Sequence, residues 1–262
     1  MTNQQDNGAG AARNVVGDAA TGKIAVPGKT LKDLVALQQT EIARALPGAL
    51  DASRYVRIVQ TELRKNPNLM KCSPASFLGA VITAALLGLE FGPLGQAYLV
   101  PYKDNCTLIV GYKGWLSLAY RSEQIASISA RAVHEKDTFS YQYGLNESLI
   151  HIPFDGDRGG VTHYYCVGKT IHEGVAFEVM SMDEMLAHRE RYAKKVNGSF
   201  VGPWKDNFDE MARKTVFLKV KTWLPQSTAM AEATGVDGAV ITRNTVDDEP
   251  EISYDLEGEV ID

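Results

Sequence analysis

The stretch GQAYLVPYKDNCTLIVGYKGWLSLAYRS, residues 95–122, changes its hydrophobic period half-way along. Its first half holds two apolar runs on either side of KDN, a pattern that predicts a β-hairpin. Its second half, from residue 111, has apolar residues at the i, i+3, i+4 and i+7 spacing of a helix. These residues are Tyr112, Trp115, Leu116 and Ala119. A hairpin that runs directly into a helix indicates a fold with both α and β elements.

Three helices are predicted on the N-terminal side of this hairpin. The first covers about residues 30–46. The second begins at Asp51, whose side chain is a good N-cap, and ends before Pro67. The third begins at the pair Ser73–Pro74 and reaches about residue 87. Because the third helix is apolar on all sides, we expect it to be buried.

Strands dominate the region that follows the helix. Four segments alternate as strands do: IASISARAVHE (125–135), DTFSYQYG (137–144), GVTHYYCVGKTI (160–171) and VAFEVMSM (175–182). A capping box of Ser181 and Glu184 predicts a helix directly after the last of them. A further helix is predicted from about Pro203 to Trp223, before Pro225.

These elements predict an α+β fold in which an antiparallel sheet is flanked by helices within a single core domain, residues 30–225. The preceding segment, 1–29, is rich in Gly, Asn, Gln and Ala without periodicity and is predicted to be disordered. The following segment, 226–262, is acidic and contains glycine. We expect this tail to be disordered and the residues after about Glu232 to be dispensable for folding.

The net charge of −5 over 262 residues hides two regions of opposite sign. From Glu232 onward there are ten acids and one base, whereas residues 189–221 hold nine bases and four acids. A positive zone of this kind favours a polyanion as partner. The alternative is a solvated helical face beside a solubilising tail.

The sequence has the features expected of a cytoplasmic protein. No apolar run approaches the ~18 residues of a membrane span, and the start of the chain lacks the layout of a signal peptide. The three cysteines are odd in number and widely spaced, which fits free thiols in a reducing compartment. We therefore expect no membrane partner.

Motifs for chemistry are weak throughout. GKIAVPGKT, residues 22–30, resembles a phosphate-binding loop but has five residues between its glycines instead of four. In addition, the backbone nitrogen of Pro27 has no hydrogen to donate to a phosphate. VGKT at 167–170 lacks the first glycine of that motif. There is no HExxH motif, no GxSxG elbow and no cluster of acids typical of a nuclease. The sequence thus favours a binding protein over an enzyme, with no cofactor and no metal.

The helix at 111–122 has a second, polar face. Lys113, Tyr120 and Arg121 fall opposite the apolar residues, and two bases beside a tyrosine suit a phosphate backbone and a base. We expect Trp115, on the apolar face, to belong to the core.

The late helix carries a basic stripe. Lys214 and Lys221 are seven residues apart, which places them within ~20° and ~10 Å of each other on an ideal helix. Phe217 and Arg213 lie on one flank of that stripe, which would follow successive phosphates. The alternative is a solvent face with Phe217 tucked under a neighbour. The opposite arc of this helix is predicted to face the core and holds Trp204, Phe208, Met211, Thr215 and Trp223. Lys219 falls in the middle of that arc, so it either reaches out near the helix end or belongs to a face that meets a subunit or ligand.

Four ordered blocks resemble the RecT family of phage single-strand annealing proteins. They are LLGLEFGPLGQAYLVPY (86–102), LIVGYKGWLSLAYRSEQIASISARAV (108–133), FSYQYGLNESLIHIP (139–153) and GPWKDNFDEMARKT (202–215). The more distant Red-beta branch shares the VGxxGW pattern at 110–115 and GPW at 202–204. Its DNA-contacting basic positions match Lys214 and Lys221 when one residue is skipped.

The resemblance implies an oligomer, a ring or helical filament, that binds single-stranded DNA without sequence preference. It would anneal complementary strands and promote strand exchange without ATP, holding the annealed duplex as well. Implied partners are a 5′-to-3′ exonuclease and a host single-strand binding protein. Three further basic residues in the matching region are candidate DNA contacts: Lys103, Arg131 and Lys205. The rival functions are a metal-dependent DNA-processing enzyme and an oligomeric scaffold protein.

Overall fold

The structure is a computed structural model that describes residues 30–48, 50–193, 195–200 and 203–253. The predicted disordered segment 1–29 lies outside these residues, as do eight of the nine residues of the failed phosphate-loop motif. The N-terminal part consists of four helices: α1 (Leu31–Leu37), α2 (Gln39–Ala45), α3 (Ala52–Lys65) and α4 (Pro74–Leu86), with a 3₁₀ turn at Pro67–Lys71 before α4.

The middle of the chain holds the predicted hairpin, the following helix and five further strands. They are β1 (Ala97–Tyr102), β2 (Asn105–Val110), α5 (Tyr112–Tyr120), β3 (Ile125–His134), β4 (Thr138–Gln142), β5 (Ser148–Ile152), β6 (Val161–Thr170) and β7 (Val175–Ser181). The C-terminal part is mostly helical. It comprises α6 (Met182–Tyr192), β8 (Lys195–Val196), β9 (Ser199–Phe200), α7 (Pro203–Asp206), α8 (Phe208–Val220), a 3₁₀ turn (Lys221–Trp223), α9 (Thr228–Val236), β10 (Val240–Thr242) and β11 (Glu251–Ser253).

Side-chain caps start the N-terminal helices where the sequence predicts them. Asp51 accepts a hydrogen bond from Arg54 N, and Ser73 accepts one from Ser76 N. Each cap satisfies an amide that the first helical turn leaves without a partner. The first predicted helix is wrong in one respect, because the backbone at Gln38 leaves the helical region (ψ 11°) and divides it into α1 and α2.

Helix α4 is the centre of the core, as its apolar sequence predicts. Eleven of its residues are buried, and it packs against α2, β2 and β10. Gly79 decides how closely β10 approaches, since a Cβ at this position would overlap the carbonyl of Ile241. A larger residue there would push β10 off the helix.

The segment after residue 226 is folded, so the prediction of a disordered tail from 226 is wrong for 228–253. Helix α9 buries Met230 and Ala233. Strand β10 pairs with β2 and β11, which gives a four-stranded sheet of order β1-β2-β10-β11. These elements are too short to show a period in the sequence, and α9 and β10 pack on partners in α5, α4 and β2 that lie more than 100 residues away. Residues 254–262 lie outside the described chain.

A second antiparallel sheet has the order β3-β6-β7. One of its faces packs against α8. The other face meets the β4–β5 hairpin through aromatic rings: Phe139 stacks on Tyr165, and Tyr143 stacks on Phe177. Together with the helices, the sheets form one apolar core, which confirms the α+β fold with antiparallel sheets flanked by helices.

The β4–β5 hairpin is attached through a buried carboxylate. Asp137 accepts hydrogen bonds from the Arg158 guanidinium, the His151 ring and the backbone amides of His134 and Phe154. The Arg158 guanidinium, with His151 and the two amides, holds the pKa of Asp137 well below its usual range despite burial. None of the helices in the described ranges is long and apolar enough to cross a membrane.

Candidate nucleic-acid interface

A cleft of about 630 Å³ lies between the start of α5 and the start of α8. The loop before β1, residues 92–95, forms one end of it. Three of the sequence-predicted site residues line this cleft, namely Lys113, Arg213 and Lys214. The other lining residues are Gly92, Pro93, Gly95, Tyr98, Tyr112, Asn207, Asp209, Glu210 and Met211.

Two glycines bring α5 onto that loop. A Cβ on Gly111 would overlap the carbonyl of Gly95, and a Cβ on Gly114 would overlap the carbonyl of Gln96. The Gly111 amide donates to the Gln96 carbonyl at 2.9 Å. The GYKG sequence therefore serves close backbone packing, which fixes the position at which α5 begins.

The N-terminus of α5 is an electropositive feature of the cleft. Gly111 is its N-cap and supplies no side-chain hydrogen bond. The first-turn amides and the helix dipole favour a negative group at such an end. Lys113, exposed in the first turn, adds a full positive charge beside them.

Helix α8 supplies the opposite wall. The Nε of Arg213 donates to Asp209 Oδ2 at 2.8 Å, and its Nη1 donates to the Ala130 carbonyl at 3.3 Å. Arg213 is thus held by the protein and neutralises Asp209. Lys214 is half-buried and has no carboxylate partner among the described residues, so its charge faces the cleft. Glu210 is the opposing charge on the same wall.

Tyr98 is a cleft residue that sequence reasoning missed. Its ring packs over Gly111, where a Cβ would come within 2.8 Å of Cε2, while the residue stays 49% exposed. Partial burial, with Glu210 nearby, raises the pKa of Tyr98. A held, half-exposed ring in a basic cleft suits stacking on a nucleobase. In the sequence, only the position of Tyr98 between two glycine-rich turns could have indicated that it lines the cleft.

Lys221 does not share an exposed face with Lys214, so that prediction is wrong. Lys221 is only 7% exposed, and its Nζ lies 3.6 Å from the centroid of the Trp115 ring. The ammonium donates to Thr234 Oγ1 at 3.0 Å. Burial lowers the pKa of Lys221 to about 8, and Asp237 opposes that shift. In this arrangement Lys221 is a core residue and does not line the cleft.

Phe217 is also buried, which supports the alternative that it lies under a neighbour. Its ring meets Tyr112 edge-on at 5.6 Å. The helical-wheel prediction fails because α8 packs against the β3-β6-β7 sheet and, on another side, its Phe217 is covered by Tyr112 of α5. In addition, α8 ends at Val220 and the 3₁₀ turn changes the phase, which leaves Trp223, predicted for the core, 71% exposed. Lys219 reaches solvent near the helix end.

Trp115 is fully buried, which confirms its assignment to the core. The polar face predicted on α5, however, is divided between two places. Tyr120 is partly exposed, and its hydroxyl accepts from Ile128 N at 3.0 Å. Arg121 caps the far end of α5, with its Nε 3.4 Å from the Ser117 carbonyl. Only Lys113 of that face reaches the cleft.

The three remaining candidates lie apart from the cleft. Lys103 is in the β1–β2 turn beside the Tyr102 ring, 5.0 Å from its centroid. Arg131 pairs in register with Tyr165, on the sheet face away from α8. Lys205 is exposed on α7. Their DNA contacts stay predictions, and any strand touching them extends beyond the cleft.

Within the described ranges, no group of three or more His, Cys, Asp or Glu residues is placed to hold a metal ion. The VGKT segment lies in β6, where its alternating side chains cannot form a phosphate loop. The three cysteines are free, as the sequence predicts, and the structure buries all three.

The cleft thus combines a helix N-terminus with Lys113 and Lys214, groups that favour a negatively charged ligand. The family model for the RecT family matches residues 53–253, and the chain belongs to that family. It is accordingly a recombination protein of the single-strand annealing type, which binds DNA.

Two curated relatives are similar over most of the folded chain. Protein RecT of Escherichia coli (strain K12) is 41% identical over 206 residues, which cover 75% of each protein. Uncharacterized protein YqaK of Bacillus subtilis (strain 168) is 28% identical over 170 residues, which cover 64% of this chain and 58% of that protein. The family match reaches residue 253, so it includes α9, β10 and β11.

Proposed function

We propose that the chain binds single-stranded DNA in the cleft between α5 and α8 and anneals it to a complementary strand without ATP. One observation carries the proposal: Lys113, Lys214 and the α5 N-terminus converge on a single cleft that also contains the exposed Tyr98 ring. Phosphates need positive charge and amides, and bases need a flat apolar surface. The cleft offers both within one volume.

The proposed binding mode is independent of sequence. Lys113, Lys214 and the helix amides contact phosphate oxygens, which carry no sequence information. Tyr98 stacks on a base, and every base has a suitable face. Because lysines displace condensed counterions from the strand, affinity falls as salt rises. The base edges stay available for pairing with a second strand.

Annealing and strand exchange require more than one subunit along the DNA. We propose a homo-oligomer, a ring or helical filament, in which neighbouring subunits hold the growing duplex. A 5′-to-3′ exonuclease would produce the single strand, and a host single-strand binding protein would occupy it beforehand. The site of action is the cytoplasm, where the DNA is. The function in this proposal is binding, and no bond is made or broken.

Annealing of two complementary oligonucleotides, one with a fluorophore and one with a quencher, tests the proposal. We expect the protein to accelerate annealing equally with and without ATP. The double variant Lys113→Ala/Lys214→Ala should lose most of this acceleration while it remains folded. The control is Lys32→Ala, which removes an exposed charge from α1, away from the cleft.

Equal annealing by the double variant and the wild type would reject the cleft as the site. A dependence on ATP would reject the proposed mechanism. Incubation of labelled DNA with Mg²⁺ addresses the rival nuclease function, since cleavage of the label would show an enzyme.

A further inference from the structure

A second groove, of about 240 Å³, runs along the exposed side of α3. It is lined by Arg54, Arg57, Ile58, Thr61, Glu62 and Lys65 of that helix, together with Pro93. Positions 54, 57, 61 and 65 are three or four residues apart, so they lie on one helix face and rise by about one 5.4 Å turn at each step. The groove is therefore a track that follows the helix axis.

This track meets the cleft at Pro93. Pro93 lines both cavities, and its neighbour Gly92 lines the cleft. Gly92 packs directly on α3, because a Cβ there would lie 3.6 Å from Glu62 Oε1 and 3.7 Å from Ile58 Cγ2. Gly92 has φ +89°, a left-handed conformation that glycine adopts without strain. The turn at 92–93 thus borders both grooves and packs on α3.

The charges of the track favour a polyanion. Arg54 pairs with the buried Glu90, and Lys65 pairs with Glu62 at 2.9 Å. Arg57 and Arg64 have no carboxylate partner within the part of the chain that the structure describes. The Arg64 Nη2 donates to Thr61 Oγ1 at 2.7 Å, which directs it along the same face. The uncompensated guanidinium group of Arg57 therefore lines the groove, and that of Arg64 lies beside it, bonded to the lining residue Thr61.

We propose that α3 carries the DNA strand beyond the cleft, so that the phosphates leaving Lys113 and Lys214 pass Pro93 and contact Arg57 and Arg64. The inference rests on the proposed function, because it uses the cleft as the entrance to the track. The ligand is the sugar–phosphate backbone of the same single strand.

Binding of fluorescent oligothymidylates to the full-length protein tests this path, with lengths from about 4 to about 16 nucleotides, the range of site sizes for single-strand-binding modules. The variant Arg57→Gln/Arg64→Gln should bind short strands, which fill only the cleft, with unchanged affinity. Long strands should lose about one log unit of affinity per lost contact at ~0.05 M salt, and the salt slope should fall by about 0.7 per contact. Arg57→Lys/Arg64→Lys should restore most of the slope.

A matched control is Arg44→Gln. Arg44 is an exposed residue of α2 that forms ion pairs with Glu41 of the same helix and with Asp247. The Arg44→Gln variant should bind strands of every length as the wild type does. Thermal unfolding of each variant checks that the fold is intact.

Each outcome separates the two proposals. If Lys214→Ala weakens short and long strands while the α3 variant weakens neither, the track is rejected and the cleft stands. If the α3 variant weakens short and long strands equally, the track is not an extension of the cleft and the inference is overturned. If the variants of both regions bind as the wild type does, the proposed function fails together with the inference.

Discussion

Lys214 and Lys221 lie seven residues apart at one end of the molecule and have opposite environments. Lys214 belongs to the cleft wall, where its charge faces solvent. Lys221 belongs to a buried corner formed with Trp115 and Thr234. Its ammonium lies over the Trp115 ring and donates a hydrogen bond to the Thr234 hydroxyl. The same residue type therefore serves binding in one place and packing in the other.

The difference shows that a charged residue in a sequence indicates a ligand-binding site only where the tertiary structure leaves its side chain solvated. A buried lysine loses hydration, and the ring face and a hydroxyl replace part of that loss. A solvated lysine keeps its charge available for phosphate. Five experiments can break or sharpen this comparison, from global folding to small changes in affinity.

The largest effect is expected from shortening the chain. A protein that ends at Ala231 lacks Thr234 of the buried corner and also β10, whose Ile241 is fully buried against α4. We expect this protein to lose cooperative unfolding, measured by circular dichroism during thermal melting. A chain that ends at Ser253 is the control and should melt as the full-length protein does. Cooperative melting of the shorter chain would show that the corner does not need β10.

Removing the Trp115 ring should lower the free energy of unfolding by a smaller amount than this truncation does. Trp115→Ala creates a cavity under Lys221 and is expected to lower the free energy of unfolding by about 3–5 kcal/mol. Trp223→Ala is the matched control, since this indole is 71% exposed and should change stability by less than about 0.5 kcal/mol. Denaturant titration measures both. Similar losses in the two variants would contradict the assignment of Trp115 to the core.

The charge of Lys221 should make stability depend on alkaline pH. Its pKa is lowered to about 8 by burial, so the unfolded chain binds more protons than the folded one between about pH 8 and the usual lysine value of 10.5. Stability from this group therefore rises with pH through that window and is flat below it. The gain is about 1–2 kcal/mol when solvent screening is taken into account.

Lys221→Met removes the titrating group and keeps most of the unbranched side chain. The difference in unfolding free energy between wild type and variant, measured at pH 7 and at pH 10, isolates this contribution, because other groups titrate in both proteins. A difference that does not change with pH would show that the ammonium is solvated.

On the cleft side, the effect should appear in binding and not in stability. Lys214→Ala is expected to weaken oligonucleotide binding about eightfold at ~0.05 M salt and to lower the salt slope by about 0.7, the value for one phosphate contact. Its melting temperature should stay close to that of the wild type. Fluorescence anisotropy over a salt series measures the slope, and an unchanged slope would remove Lys214 from the interface.

The smallest effect concerns the acid on the same wall. Glu210→Gln removes a negative charge from the cleft and should raise affinity for single-stranded DNA about twofold at low salt. Screening should abolish the gain above ~0.15 M. Glu232→Gln changes an exposed acid on α9 outside the cleft and is the control. Equal effects of the two substitutions would indicate a change in net charge alone.

The sequence by itself determined the elements with local causes. Caps at Asp51, Ser73 and Ser181, the β1–β2 hairpin, the buried α4 and the core position of Trp115 all follow from neighbours within a few residues. The four blocks also determined the family. Such signals survive in a single sequence because the interacting groups are adjacent in it.

Only the tertiary structure decided what depends on distant partners. Strand β10 is a strand because β2 pairs with it and Gly79 leaves it room, and no local period shows this. The half-exposed position of Lys214 and the burial of Lys221 were decided by packing on more than one side of this segment, which a helical wheel with one apolar arc does not represent. Tyr98 became a cleft residue for the same reason: its environment is made by glycines and by a helix that lies more than 100 residues further along the chain.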